Sequence, residues 1–153
     1  MPGVKDEWTD EGKKFMKELR ELAELEVRIG YQAGEAEDNG VDMTDIAMWN
    51  ELGTEHAPSR PFMRDSVDKH IPAINHMLMD QKDALLSGRT AKEILNTVGI
   101  FQKDLMQTEI EQGEFAANAP ATIKKKGSDK PLIDTGRMKN SVNYQIVKKG
   151  SAD

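Results

Sequence analysis

Apolar residues near the start of the chain follow two different periods. Phe15, Leu19 and Leu22 recur at spacings of four and three, the repeat of one helix face, and Glu26 takes the next position of that stripe. Thr9 or Asp10 stands where such a helix is capped. In EVRIGY, Val27, Ile29 and Tyr31 then alternate with Arg28 and Gly30, the two-residue repeat of a half-buried strand. QAGEAEDNGVD is polar and contains glycine, and reads as a loop. Thr44 is placed to cap a short helix through DIAMWNEL, with Gly53 as its stop. TEHAPS is expected to be extended, since a residue before proline is pushed out of the helical region.

Pro61 suits the first turn of a further helix, where a missing N–H costs nothing. Met63, Val67, Ile71, Ile74 and Leu78 share one face of it, and Pro72 should kink or split it near His70. Thr90 to Glu93, TAKE, spells a capping box. It opens a helix with Ile94, Val98, Phe101 and Leu105 on one face, ending before Gly113. Gly99 inside it weakens the helix by about 1 kcal/mol relative to Ala. No period appears from Glu114 to Lys130, and residues 114–133 read as an extended loop or arm, expected to be flexible in the free subunit. Val142, Tyr144 and Ile146 alternate with polar residues as a last strand. Two strands so far apart in sequence are expected to share one small, mostly antiparallel sheet packed against several helices, an α+β fold.

A length of 153 residues suits a single domain over 1–153, and 37% hydrophobic with 31% charged residues fits a modest core under a wet surface. Apolar runs are too short to span a bilayer, so no membrane partner is expected. With no cysteine, thiolate metal sites, disulfides and cysteine nucleophiles are excluded. The net charge of −6 argues against broad nucleic-acid binding. Its distribution is more informative. From Gln32 to Glu55 there are seven acids and no Lys or Arg, whereas from Ala121 to Gly150 there are eight bases and two acids. Such runs are either two solvated surfaces or the two halves of a head-to-tail contact, with Lys124, Lys125 and Lys126 as candidate assembly contacts.

Three constellations suggest chemistry and each fails. Asp134-Thr135-Gly136 spells the triplet of aspartic proteases, but only 17 residues follow Gly136, too few for that fold, and RMKNS is bulky and charged. A cap by Asp134 or Thr135 before a helical turn, with Gly136 relieving crowding, is simpler. EAEDNGVDMTDI places Ile46 where a calcium loop needs a bidentate Glu. His56, His70 and His76 have no zinc spacing. No metal, cofactor or catalytic residue is therefore expected, and the chain is not expected to be an enzyme.

Two stretches are more particular than composition explains. The first, IAMWNELGTEHAPSRPFMRDSVDKH, carries Asn50, Glu51, Gly53, Thr54, Pro58, Arg60, Pro61, Phe62 and Arg64. The second, ATIKKKGSDKPLIDTGRMKNSVNYQIV, carries Lys126, Gly127, Pro131, Leu132, Asp134, Thr135, Gly136 and Ser141. In this order they resemble the neck and tail-completion proteins of tailed bacteriophages, encoded among head–tail joining genes. Leu52 stands where that family usually has an aromatic, and Ala57 where Ile often precedes the proline. The resemblance implies a structural virion protein forming a homo-oligomeric ring at the head–tail junction, as neck, tail-completion or tail-terminator component. Six copies would match tail symmetry and twelve portal symmetry, with six preferred. Implied partners are the neighbouring connector, neck or tail-tube proteins, with DNA passing through the ring without specific binding. Implied locations are the virion and, during assembly, the host cytoplasm. The alternative is a cytoplasmic assembly chaperone or binding module absent from the finished particle. Phe62 is expected in the core rather than at an interface, and Arg60 either bonds a carbonyl or carboxylate or is simply solvated.

Overall fold

The computed structural model describes residues 7–115 and 136–152. Helix α1 (Asp10–Glu24) leads directly into strand β1 (Leu25–Gly30). A two-residue pair, β2 (Glu37–Asp38) and β3 (Val41–Asp42), precedes α2 (Met43–Leu52). Then come α3 (Phe62–Asp68), α4 (Ile71–Leu86), α5 (Ala91–Gln112), a single turn α6 (Arg137–Asn140) and β4 (Asn143–Lys148). The fold is α+β, with β1 and β4 antiparallel in one small sheet and α5 packed across both strands. Most of the arm expected over 114–133, with Lys124, Lys125, Lys126 and Pro131, lies outside the described residues, as do Asp134 and Thr135.

Most helix starts follow their sequence signals. Thr9 caps α1, its Oγ1 accepting the Gly12 N–H at 3.0 Å. Thr90 and Glu93 close both bonds of the capping box on α5. The expected split near His70 is present, with α3 ending at Asp68 and α4 opening at Ile71 and Pro72. Three expectations are corrected. Glu26 belongs to β1, so the α1 stripe stops one turn early. The α2 cap is Asp42 rather than Thr44; its Oδ1 accepts the Thr44 N–H at 2.8 Å and its Oδ2 the Gly34 N–H at 2.6 Å. The segment expected to be plain loop holds the β2–β3 hairpin, turning through Asn39 (φ 52°) and Gly40 (φ 81°), the pair of left-handed residues a tight hairpin needs.

The register of the sheet sorts its faces. Val27 faces Ile146 and Ile29 faces Tyr144 on one side; Arg28 faces Gln145 on the other. A two-stranded sheet is marginal alone, and α5 supplies the apolar cover. Gly99 explains how it can lie so close: a Cβ there would stand under 3.0 Å from the Tyr144 ring, whose hydroxyl bonds Asn96 at 3.0 Å. The glycine that costs helix propensity therefore admits the ring that fixes the sheet.

Phe62, Met43, Ala47, Met106, Ile110, Met138 and Val142 form the buried cluster, drawing on α2, α3, α5, α6 and the approach to β4. Phe62 is fully buried, as expected, with Tyr31 edge-on at 6.3 Å. Elsewhere charged groups turn inward. On α1 it is Glu18 that is buried, while Leu19 is exposed, because the Glu18 carboxylate accepts the Ala91 N–H at 2.8 Å and so caps α5 from another helix.

Candidate functional site

The residues singled out by the first stretch build an elbow between α2 and α3. The chain leaves α2 at Gly53, whose φ of 77° favours glycine, and a Cβ there would press on the backbone of Ala57 to Ser59. Thr54 and Ala57 exchange backbone bonds of 2.8 and 3.4 Å across the tip. The return limb is bonded to α2: the Arg60 N–H donates to the Asn50 carbonyl at 2.6 Å, and the Ser59 hydroxyl to the Glu51 carbonyl at 2.7 Å.

Glu51 supplies the next link. Pro61 occupies the N-cap of α3 and offers no capping side chain. The Glu51 carboxylate fills that role from α2, accepting the Met63 N–H at 2.9 Å and the Arg64 N–H at 3.1 Å. A negative group on unpaired N–H groups at a helix N-terminus satisfies the donors and complements the helix dipole. Arg60 is 8% exposed, and burial pulls its guanidinium pKa below the ordinary value, so the simply solvated arginine is excluded. Thr54, Pro58 and the Arg64 side chain remain at the surface.

The second stretch meets this elbow through α6. Gly136, at φ 79°, is the left-handed residue that starts the turn. A four-residue helix cannot hold itself, and α6 is held from outside. Tyr31 Oη donates to the Met138 carbonyl at 2.9 Å, and Gln107 Nε2 donates to the Lys139 carbonyl at 3.1 Å. Asn50, 88 positions away, bonds both the Ile46 carbonyl at 2.9 Å and the Met138 sulfur at 3.9 Å. Ser141 Oγ donates back to the Arg137 carbonyl at 2.6 Å. Burial raises the Tyr31 hydroxyl far above its ordinary pKa, so it stays a donor at all physiological pH.

The charged segments also touch within one subunit. Arg137 pairs with Asp38 at 3.1 Å, and Lys139 with Glu111. Part of the basic segment is thus already matched inside its own chain. A separate polar cluster sits at the break between α3 and α4. The buried Glu109 of α5 receives His70 Nε2 at 3.1 Å and Lys69 Nζ at 3.5 Å, while Lys69 also reaches Asp65 at 3.3 Å. Burial alone would lower the Lys69 pKa; Asp65 and Glu109 outweigh it and raise it.

A cleft of about 390 Å³ opens where β1 runs into the following loop, between Arg28, Tyr31, Gln32, Thr44 and Gln145. Its walls offer hydrogen bonds, and Arg28 is itself engaged by Glu26 at 2.8 Å and the Ser151 carbonyl at 2.8 Å. Among the described residues no helix is long and apolar enough to cross a membrane. Sequence patterns gave Tyr31 only a place in a strand's alternation and did not single out Gln107 or Glu18. Their partners are backbone groups far along the chain, and no spacing announces such pairs. Comparison with protein-family models, with characterised proteins and with solved structures finds no match.

Proposed function

We propose that this chain is a structural component of a tailed-bacteriophage particle, forming a ring of copies at the head–tail junction. One observation supports the proposal: the first of the stretches that resemble the neck and tail-completion proteins packs against the described end of the second, residues 136–142. Asn50 reaches Met138 across 88 positions, and the elbow and α6 share the Phe62 cluster. Residues that belong to a common pattern for a common reason should meet in space, and the contact of Asn50 and the Phe62 cluster with Met138 is consistent with that reading. The elbow is bonded to α2 at both limbs and presents Thr54, Pro58 and Arg64 outward with little freedom to lose on docking. Lys124, Lys125 and Lys126 extend the same proposal to the basic segment, as contacts to the acidic residues of a neighbouring copy. The ring would hold six copies, as tail symmetry suggests.

The test is to disrupt the gene in the phage that carries it and to examine the particles. Filled heads and separate tails, joined on adding the purified protein and retaining it at the neck, are the expected result. Infectious particles made without the protein would overturn the proposal. Particles that need it for assembly but contain none of it would point to a chaperone instead.

A further inference from the structure

The β2–β3 hairpin turns on Asn39 and Gly40, a pair that can also close a ring within the chain. One new bond, from an asparagine's side-chain carbonyl carbon to the next backbone nitrogen, makes a five-membered cyclic imide. A glycine in second place leaves that nitrogen with no Cβ to shield it. What else holds the nitrogen then decides whether the ring closes. After Asn50, Asn75 and Asn96 the next N–H belongs to a helix ladder. After Asn140 the Ser141 N–H donates to the Arg137 carbonyl at 2.9 Å, and after Asn143 the Tyr144 N–H donates to Asn143 Oδ1 at 2.9 Å. Among the described asparagines, Asn39 alone precedes a nitrogen without a hydrogen bond. Its own carboxamide has no partner among the described residues, both residues are exposed, and a Cβ built on Gly40 would meet nothing. A turn locked in its left-handed form would delay the attack, but two residue pairs close this hairpin, and so short a pairing opens at little cost.

We infer that Asn39 is a site of spontaneous covalent modification, losing its amide through a cyclic imide with Gly40, and that the isoaspartate product loosens the hairpin from α6. The Gly40 nitrogen gives up its proton and bonds to Asn39 Cγ. The Cγ–Nδ2 bond breaks, and the amide group leaves with a proton as ammonia. Water then opens the imide on either side of the nitrogen. Opening at Cγ yields aspartate; opening at the main-chain carbonyl yields isoaspartate, whose backbone runs through Cβ and Cγ. An amide and water have become a carboxylate and ammonia, with no oxidant or reductant. Either product places a new carboxylate next to Asp38. Isoaspartate also adds a methylene to a turn whose two-residue length sets the pairing of Asp38 with Val41. That pairing positions Asp38, whose Oδ1 accepts Arg137 Nη1 at 3.1 Å, and α6 begins at Arg137. The inference concerns the isolated chain and stands apart from the proposed function.

The test incubates the full chain for weeks in warm buffer at neutral and mildly alkaline pH, then maps its peptides by mass spectrometry and labels them with an isoaspartyl methyltransferase. The expected result is two new forms of the peptide holding residue 39, each heavier by the difference between OH and NH2, one of them labelled. They should form faster as pH rises, because the attacking nitrogen must lose its proton. The folded chain should react within about tenfold of the chain unfolded in guanidinium chloride, since no bond holds that nitrogen. Asn39→Gln, which would need a larger ring, should stay unmodified. An intact peptide, a folded rate lower than that tenfold limit, or faster change at Asn140 would overturn the site. Amide exchange on the separated isoaspartate form tests the consequence. Faster exchange over residues 137–141, with α5 unchanged, is expected; exchange equal to that of fresh chain would show that the hairpin does not hold α6.

Discussion

Removing the Glu51 carboxylate should loosen α3 without touching a core side chain. The carboxylate accepts two N–H groups of the first turn of α3, at 2.9 and 3.1 Å, and Pro61 gives that helix no side-chain cap of its own. Losing a cap costs about 0.5–2 kcal/mol, and the charge at a helix N-terminus adds about 0.3–1 kcal/mol at surface sites. Because Glu51 is half-buried rather than enclosed, water can replace part of what is lost, and Glu51→Ala should cost about 2 kcal/mol. Glu51→Gln keeps one acceptor oxygen but neither the charge nor the second bond, and should cost about 1 kcal/mol. For a domain of this size those losses lower Tm by about 4–8 °C and about 2–4 °C respectively. Urea unfolding followed by far-UV circular dichroism measures both, with Glu55→Ala, an exposed acid on the same elbow, as the control. If Glu51→Ala lies within 0.5 kcal/mol of the unaltered protein, or if Glu55→Ala costs as much, the carboxylate does not cap α3.

Three further outcomes follow from the packing. Gly99→Ala should destabilise by about 1–2 kcal/mol, because overpacking against Tyr144 outweighs the gain in helix propensity; with Tyr144→Ala already in place the same change should stabilise, and urea midpoints of the four proteins decide. Tyr31→Phe should cost about 1 kcal/mol and leave the Met138 carbonyl short of a donor, which amide exchange across residues 137–141 would show as faster opening. Asp42 is held below its ordinary pKa by the Thr44 and Gly34 N–H groups, so its contribution is present above the unfolded value near pH 4 and is lost as pH falls through the folded value. Asp42→Asn should therefore flatten the acid limb of a stability–pH curve measured below pH 4, and an unchanged limb would show that the cap is not titrating.

Where local chemistry sets the structure, the sequence was legible. Thr9, the box of Thr90 and Glu93, the break before Pro72 and the alternation in both long strands each need only a few neighbouring residues to read. The hairpin at Asn39 and Gly40 carried its signal too, but two-residue strands are too short for a period to reveal them. The cap of α2 was misplaced by two residues because Asp42 and Thr44 are both good caps, and only the reach to Gly34 distinguishes them. Contacts across the chain were not legible. Glu18 looks like a solvated charge on a helix until Ala91 is beside it, and Gly99 looks like a weak point until Tyr144 is above it.

The elbow and the exposed apolar positions of α2, α3 and α4 place different demands on residue type, and their variants can separate them. Asn50, Glu51, Gly53, Arg60 and Phe62 are recognisable in sequence because each meets a demand inside the subunit: a carbonyl to bond, a helix to cap, a positive φ, a buried position. A position open to solvent makes no such demand on residue type, so Val67, Ile71 and Leu52, between 43% and 66% exposed, carry no recognisable signature. Substitutions in the elbow should therefore lower stability. Substitutions at Val67, Ile71 or Leu52 should change stability by less than about 0.5 kcal/mol. The contrast, read from urea midpoints, separates residues that build the subunit from residues that only cover it.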